Sequence, residues 1–240
     1  VVSDRTAKVW AWIAAAQVGD APVSMAAVCM AAARHLGVDG ASVTAMSGPE
    51  SREPVFASDD LSAELEELQL TTGEGPGADE FWLGSPVLVA DLDSAAARWP
   101  GFVPEAVAAG ARAIFALPLQ AGAIRVGVLS LYRALPGPLS AGELADVLVF
   151  ADVALQLLLD AASGITGSAG YRPPLEGLSD RRAMVYQATG MVSVQLGVSL
   201  EEALARLRAR AFISGTALGD IAGDVVSRRL RFDPGAELDA

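Results

Sequence analysis

Arg206, Arg208 and Arg210 stand at alternate positions in the run LEEALARLRARA, and Arg228, Arg229 and Arg231 crowd a second point near the C-terminus. Guanidinium groups in such a set neutralise phosphates or pair with carboxylates. Residues of the usual catalytic types are sparse. The single histidine, His35, closes an alanine-rich helical run, which suits a capping or surface role, and the single cysteine, Cys29, lies in the same apolar run. Asp79, Glu80, Asp91 and Asp93 are the remaining candidates for an enzyme. Asp79 and Glu80 sit beside Gly75 and Gly77, where a solvated turn is expected. No Ser-His-Asp set, metal-ligand spacing or Gly-rich phosphate loop appears in the sequence. The expectation is a protein that is not an enzyme and uses no metal or cofactor.

The elements that must carry the arginines divide in two. The stretch 162–180, ASGITGSAGYRPPLEGLSD, gathers Gly, Ser and a Pro-Pro pair, which is linker chemistry. Before it, helical and strand patterns mix; after it, every pattern is helical. The spacing predicts a domain over 1–163, a linker over 164–178, a three-helix bundle over 179–231 and a tail over 232–240. The first domain opens with helices over 6–17 and 22–36, with Pro22 in the first turn of the second. Strands are predicted over 41–46, 54–58, 86–91, 112–120 and 125–133, the last two as a hairpin. Pro118 lacks an N–H and belongs at an edge or irregular position. Ser140 and Glu143 then open a long helix with a capping box. Along it Leu144, Leu148, Ala151, Leu155 and Leu158 recur at heptad spacing, a seam for a second copy of the chain or for the domain's own sheet. In the bundle, Gly197 suits a helix end, Ser199 with Glu202 a second capping box, and Thr216 a third start.

Charge follows the same division. The formal net charge is −12, which argues against non-specific nucleic-acid binding by the whole chain. Residues 1–178 hold 9 Lys and Arg against 21 Asp and Glu, whereas 179–231 hold 8 Arg against 5 acids. The bundle is mildly basic on an acidic protein. One cysteine excludes an internal disulfide and fits a reducing cytosol. No run of apolar residues is long enough for a membrane span, and the apolar stretch 9–18 reads as a helix rather than a signal peptide. A cytoplasmic protein is expected.

The bundle's pattern resembles a known family. Arg182-x-x-Val185-x-x-Ala188-Thr189-Gly190-Met191, then Gly197-Val198-Ser199-x-x-x-Ala203-x-x-x-Leu207-Arg208-x-x-Ala211, then Leu218-x-x-Ile221-Ala222-x-x-Val225-Val226, is similar to the ANTAR domain of bacterial RNA-binding transcription antitermination regulators. Thr189 stands where many members carry lysine. The first domain looks like a GAF domain, a small-molecule sensory fold. That resemblance is carried by GPGADEFWLGSPVLVADL (75–92) and the paired strands RAIFALPLQAGAIRVGVLSLYR. The implied fold class is α+β, a GAF-like antiparallel sheet flanked by helices and followed by a small three-helix bundle.

The resemblance implies a sensor controlling a bundle that binds paired hairpin loops in nascent RNA and prevents a terminator from forming. The candidate RNA-contacting residues are Arg182, Gln187, Thr189, Arg206, Arg208, Ser214 and Thr216. The implied partners are RNA, a second copy of the chain, and a small-molecule ligand or regulatory protein at the sensor. A different class of function remains beside it: a ligand-binding dimeric sensor that regulates a protein partner through its helical tail.

Overall fold

The structure is a computed structural model, and it describes residues 4–17, 22–47, 52–163 and 176–233. Most of the expected linker and the tail from 234 on lie outside the described residues. Contacts group the chain into two units, one within 1–69 and 74–175, the other within 70–73 and 176–240.

The first unit is built on a five-stranded antiparallel sheet of β1 (Gly40–Met46), β2 (Arg52–Ala57), β3 (Val87–Val89), β4 (Ala113–Ala121) and β5 (Ile124–Arg133), in the order β2-β1-β5-β4-β3. The expected hairpin is β4–β5, with Phe115 opposite Leu131 and Leu117 opposite Leu129. β3 pairs only as far as Ala116, so Pro118 lies where β4 has a neighbour on one side alone. There its missing N–H removes no ladder bond on the open flank.

Because side chains alternate across a strand, register sorts the sheet into two unlike faces. Val43, Phe115, Leu117, Leu129 and Leu131 share one face and are buried. They pack with α1 (Asp4–Ala16), α2 (Met25–His35) and α6 (Ala141–Ser163) through Val9, Ile13, Val28, Phe150 and Ala154. The other face carries Ser42, Thr44, Ser130 and Tyr132 among its apolar residues. Above it lie α3 (Asp60–Thr72), α4 (Pro76–Leu83) and α5 (Val103–Ala109). The sequence pattern did not predict these three helices.

Local chemistry fixes the helix ends. Ser24 caps α2, its hydroxyl accepting from Ala27 N, so Pro22 precedes the helix rather than lying in its first turn. Ser140 and Glu143 close the predicted capping box reciprocally: Glu143 N donates to Ser140 Oγ, and Ser140 N to Glu143 Oε2. Asp146, 7% exposed on α6, accepts from Arg5 Nη1 and Lys8 Nζ and ties α1 to α6. His35 is exposed in the last turn of α2, its ring stacked on Trp12 at 4.5 Å. Cys29 is fully buried, and burial pushes its thiol far above the usual range, so it is inert.

The predicted heptad seam on α6 meets the chain's own core. Ala151 is buried with Val147, Phe150 and Ala154, and Leu144, Leu155 and Leu158 are half-buried against the same cluster. Only Leu148 of the five is exposed, at 47%. Ala151 is therefore unavailable to a second copy of the chain. The seam works as helix-on-sheet packing because both contacts use the same apolar periodicity.

The second unit holds α7 (Glu176–Leu196), α8 (Leu200–Ser214) and α9 (Leu218–Val226). Its core is Val185, Ala188 and Val192 of α7, Ala203, Leu204, Leu207 and Ala211 of α8, and Leu218, Ile221, Ala222 and Val225 of α9. Gly197 adopts φ +68°, which lets the chain leave α7. Ser199 Oγ then accepts from Glu202 N and starts α8. Thr216 does not cap α9; Ala217 holds that position, and the Thr216 hydroxyl donates to Ser214 O instead. Among the described residues no helix is long and apolar enough to cross a membrane.

Candidate nucleic-acid interface and sensor pocket

The bundle sorts the residues singled out from the sequence. Gln187 is exposed on α7, and Arg206 and Ser214 are exposed on α8. Arg206 pairs one turn back with Glu202 at 2.9 Å, an exposed pair worth only tenths of a kcal/mol and easily exchanged. Arg208 is half-buried, and its Nε donates to a backbone carbonyl. Thr216 is half-buried in the turn after α8. The side chain of Arg182 lies outside the described residues.

Thr189 is a correction. It is 7% exposed, and its hydroxyl donates to Val185 O one turn earlier at 2.7 Å. A threonine so bonded satisfies itself within the helix, and this side chain packs inside the bundle rather than on its surface.

The bundle's free surface adds residues that the sequence reading passed over. Arg210 is exposed and forms no ion pair among the described residues. Phe212 and Ile213 are 63% and 55% exposed, and Tyr186 is 51% exposed. The signal was present in the periodicity. Ala203, Leu207 and Ala211 occupy the inward stripe, so the two residues after Ala211 must turn outward.

The C-terminal arginines form a separate patch. Phe232 N donates to Gln195 Oε1, whereas Gly223 lies against Met184. α9 therefore runs alongside α7 in the same direction, and Arg228, Arg229 and Arg231 lie toward the α7 C-terminus. Arg210 and Phe212 lie at the opposite end, because α8 returns antiparallel from Gly197. Eleven helical steps separate Met184 from Gln195, a span of about 16 Å. Arg229 is paired with Asp224 at 2.7 Å.

In the first unit, the hydroxyl-bearing face of the sheet and α3 enclose a cavity of about 10 Å³ lined by Ser42, Glu66, Gln69, Ser130 and Tyr132 among others. That is room for one water-sized group. Glu66 is 6% exposed and accepts from Ser42 Oγ at 2.9 Å and Thr44 Oγ1 at 2.8 Å. Gln69 Oε1 accepts from Gly77 N and so holds the start of α4 to α3.

At the other end of α3, Asp59 accepts from Ser58 Oγ, Ser62 N, Ser62 Oγ and Tyr132 OH. Burial pushes its carboxyl up, but these hydrogen bonds outweigh burial and hold it below its usual value. Burial and the Asp59 carboxylate both push the Tyr132 phenol up. A methyl group at Gly40 would lie 2.1 Å from Asp59 and 2.3 Å from the Tyr132 ring, so the Asp59–Tyr132 approach requires glycine there.

Glu80 overturns the expectation of a solvated turn. It lies on α4, is 1% exposed, and among the described residues neither carboxyl oxygen has a hydrogen-bond partner. Burial pushes its pKa from 4.5 up to about 8, against the opposing charge of Arg125. Arg125 is itself committed to the end of α4, donating to Phe81 O and Trp82 O at 2.7 and 2.8 Å. The neighbouring Asp79 is half-exposed and pairs with Arg98 at 2.7 Å. Among the described residues no group of three or more His, Cys, Asp and Glu could hold a metal ion.

Strand order β2-β1-β5-β4-β3, with helices on both faces of the antiparallel sheet, gives the first unit the GAF-domain fold. The chain is similar to the GAF domain of a phosphoenolpyruvate-protein phosphotransferase from Coxiella burnetii, with 17% identity over 68% of this chain and 99% of that one, at a TM-score of 0.51. It is also similar to the GAF domain of the Acinetobacter phosphoenolpyruvate-protein phosphotransferase (13% identity, 67% and 94% covered, TM-score 0.48). A third similar structure is the GAF-B domain of DevS from Mycobacterium smegmatis (22%, 57% and 92%, TM-score 0.41). No family model matches the sequence, and no curated protein matches it significantly.

Proposed function

We propose that the chain is a cytoplasmic transcription antitermination regulator. Its GAF-fold unit senses a small molecule or a regulatory protein, and its C-terminal bundle binds paired hairpin loops in nascent RNA. The protein acts by binding, without catalysis, and two loops call for two bundles and hence a homodimer.

One observation carries the reading. Val185, Ala188, Ala203, Leu207, Ala211, Leu218, Ile221, Ala222 and Val225, which carry the resemblance to the ANTAR domain, are the residues that bury in the three-helix bundle. Gly197 and Ser199 of the same pattern make its first turn. One sequence register thus accounts for the core and the turn together. Loop bases of RNA are unstacked and available to polar and aromatic side chains, and the exposed arginines supply phosphate neutralisation. The acidic charge of residues 1–178 gives the sensor a reason to oppose RNA binding until a signal arrives.

The test is transcription in vitro with the full chain, on a template whose leader carries two hairpin loops overlapping a terminator. Read-through is expected to rise with protein concentration and to fall back when the loops are scrambled. Read-through that is equal with native and scrambled loops would exclude antitermination by loop recognition and favour the docking of a protein partner.

A further inference from the structure

We infer that the cavity between the sheet and α3 takes an ammonium ion, which makes ammonium the signal of the GAF-fold unit; the inference rests on the sensing role proposed above. Strand register builds the floor. Ser42 of β1 stands directly opposite Ser130 of β5, and both are buried on the hydroxyl-bearing face. The Ser42 hydroxyl donates to Glu66, and the Ser62 hydroxyl donates to Asp59. Their protons are spent there, so toward the cavity both oxygens offer lone pairs. Ser130 lines the same cavity and is 8% exposed, and its hydroxyl has no hydrogen-bond partner among the described residues. A hydroxyl so deeply buried without a partner is an exception in a folded protein.

The charge around the cavity selects its occupant. Glu66 accepts from the hydroxyls of Ser42 and Thr44, Asp59 from hydroxyls and the Ser62 N–H, and Asp39 from Ala134 N. Among the described residues none of these carboxylates pairs with a lysine or an arginine. Tyr132, on the cavity wall, registers their field. Burial pushes its phenol up, and the hydrogen bond and charge of Asp59 and the charge of Asp39 push it further. Leu65, Ile114 and Leu131 complete the walls with apolar groups, which leave that field unscreened. A cation entering there supplies the partner that the buried Glu66 lacks. Size and hydrogen bonding then narrow the cation. A cavity of about 10 Å³ admits one atom of water size, so an alkylammonium does not fit. Every hydrogen of an ammonium ion is a donor, and Ser42, Ser62, Glu66 and Ser130 present oxygens to receive them. An alkali ion needs a fuller shell of oxygens in place of its hydration water.

The experiment melts the full chain, monitored by tryptophan fluorescence, in ammonium chloride against sodium, potassium and methylammonium chloride at equal ionic strength. At about tenfold its dissociation constant, ammonium is expected to raise the Tm by about 3–6 °C, and the other salts by less than about 1 °C. Ser130→Ala is expected to weaken ammonium binding about tenfold, the worth of one hydrogen bond to a charged group. Glu66→Gln, which keeps the shape and removes the charge, is expected to abolish it. If Glu66→Gln fails to fold, Ser130→Ala decides alone.

No rise with ammonium at any concentration would overturn the site. So would an equal rise with potassium or methylammonium, or a rise that the variants leave intact. Each of these leaves loop recognition standing, because loop-dependent read-through is measured on its own. Ammonium binding by the native chain, with read-through unchanged between ammonium and sodium chloride, would instead remove the sensing role and leave the site.

Discussion

Leu207→Ala is expected to unfold the three-helix bundle while the GAF-fold unit stays folded. Leu207 is fully buried in the bundle core with Val185, Ala188, Val192, Ala203, Leu204, Ala211, Leu218, Ile221, Ala222 and Val225. The four alanines among them cannot reach into the space a leucine leaves. The cost of such a truncation is about 2–5 kcal/mol and is highest where the site cannot collapse. A bundle of some 50 residues has little stability to lose. The readout is unusually clean. All four tryptophans, Trp10, Trp12, Trp82 and Trp99, precede the linker. Tryptophan fluorescence thus reports on the first unit, and far-UV circular dichroism on both. The expected result is lost helical ellipticity at 25 °C with an unchanged fluorescence melt. Full ellipticity with RNA binding retained would mean that the bundle draws its stability from elsewhere.

Glu80→Met is expected to stabilise the GAF-fold unit above neutral pH and to remove most of its loss of stability on the alkaline side. The Glu80 carboxyl ionises at about 8 in the folded chain, against about 4.5 when exposed. Below pH 4.5 both states hold the proton and the group costs nothing by linkage. As pH rises from 4.5 to 8 the unfolded chain releases its proton and the folded chain does not, so stability falls throughout that window. Above 8 the full penalty applies, on the order of several kcal/mol for a shift this large. Methionine has nearly the same length and no carboxyl oxygens to leave unpaired at a site where, among the described residues, neither has a hydrogen-bond partner. Tryptophan-monitored melts from pH 5 to pH 8.5 should fall steeply for the native chain and stay nearly level for the variant. Parallel curves would show that Glu80 acquires a partner in solution.

The two units differed in how legible they were, for a physical reason. Among the described residues the inward positions of the bundle are apolar except Thr189, so a period of 3.6 and two capping signals located all three helices. In the sheet, alternation and the β4–β5 turn were enough to locate all five strands. The three helices over the hydroxyl-bearing face left no such trace. The positions of α3 that face the sheet are Ser62, Leu65, Glu66 and Gln69, three of the four polar, because the sheet face below them carries Ser42, Thr44 and Ser130. Hydrophobic periodicity fails where polar groups satisfy polar groups. Glu80 was misread for a related reason. Gly75 and Gly77 suggest a turn, but Pro76 at the first helical position and Gly84 at the left-handed exit bracket a short helix. Thr189 shows the opposite error: a residue whose type suits an interface was already committed to the chain's own packing.

The central claim is that the bundle recognises RNA loops, and the most direct measurement is binding of the full chain to a randomised-loop tandem stem-loop RNA pool across a salt titration. The account predicts enrichment of particular loop sequences, affinity falling linearly with the logarithm of salt concentration, and loss of binding when the enriched loops are scrambled. Binding that ignores loop sequence, or no binding at low salt, would contradict it.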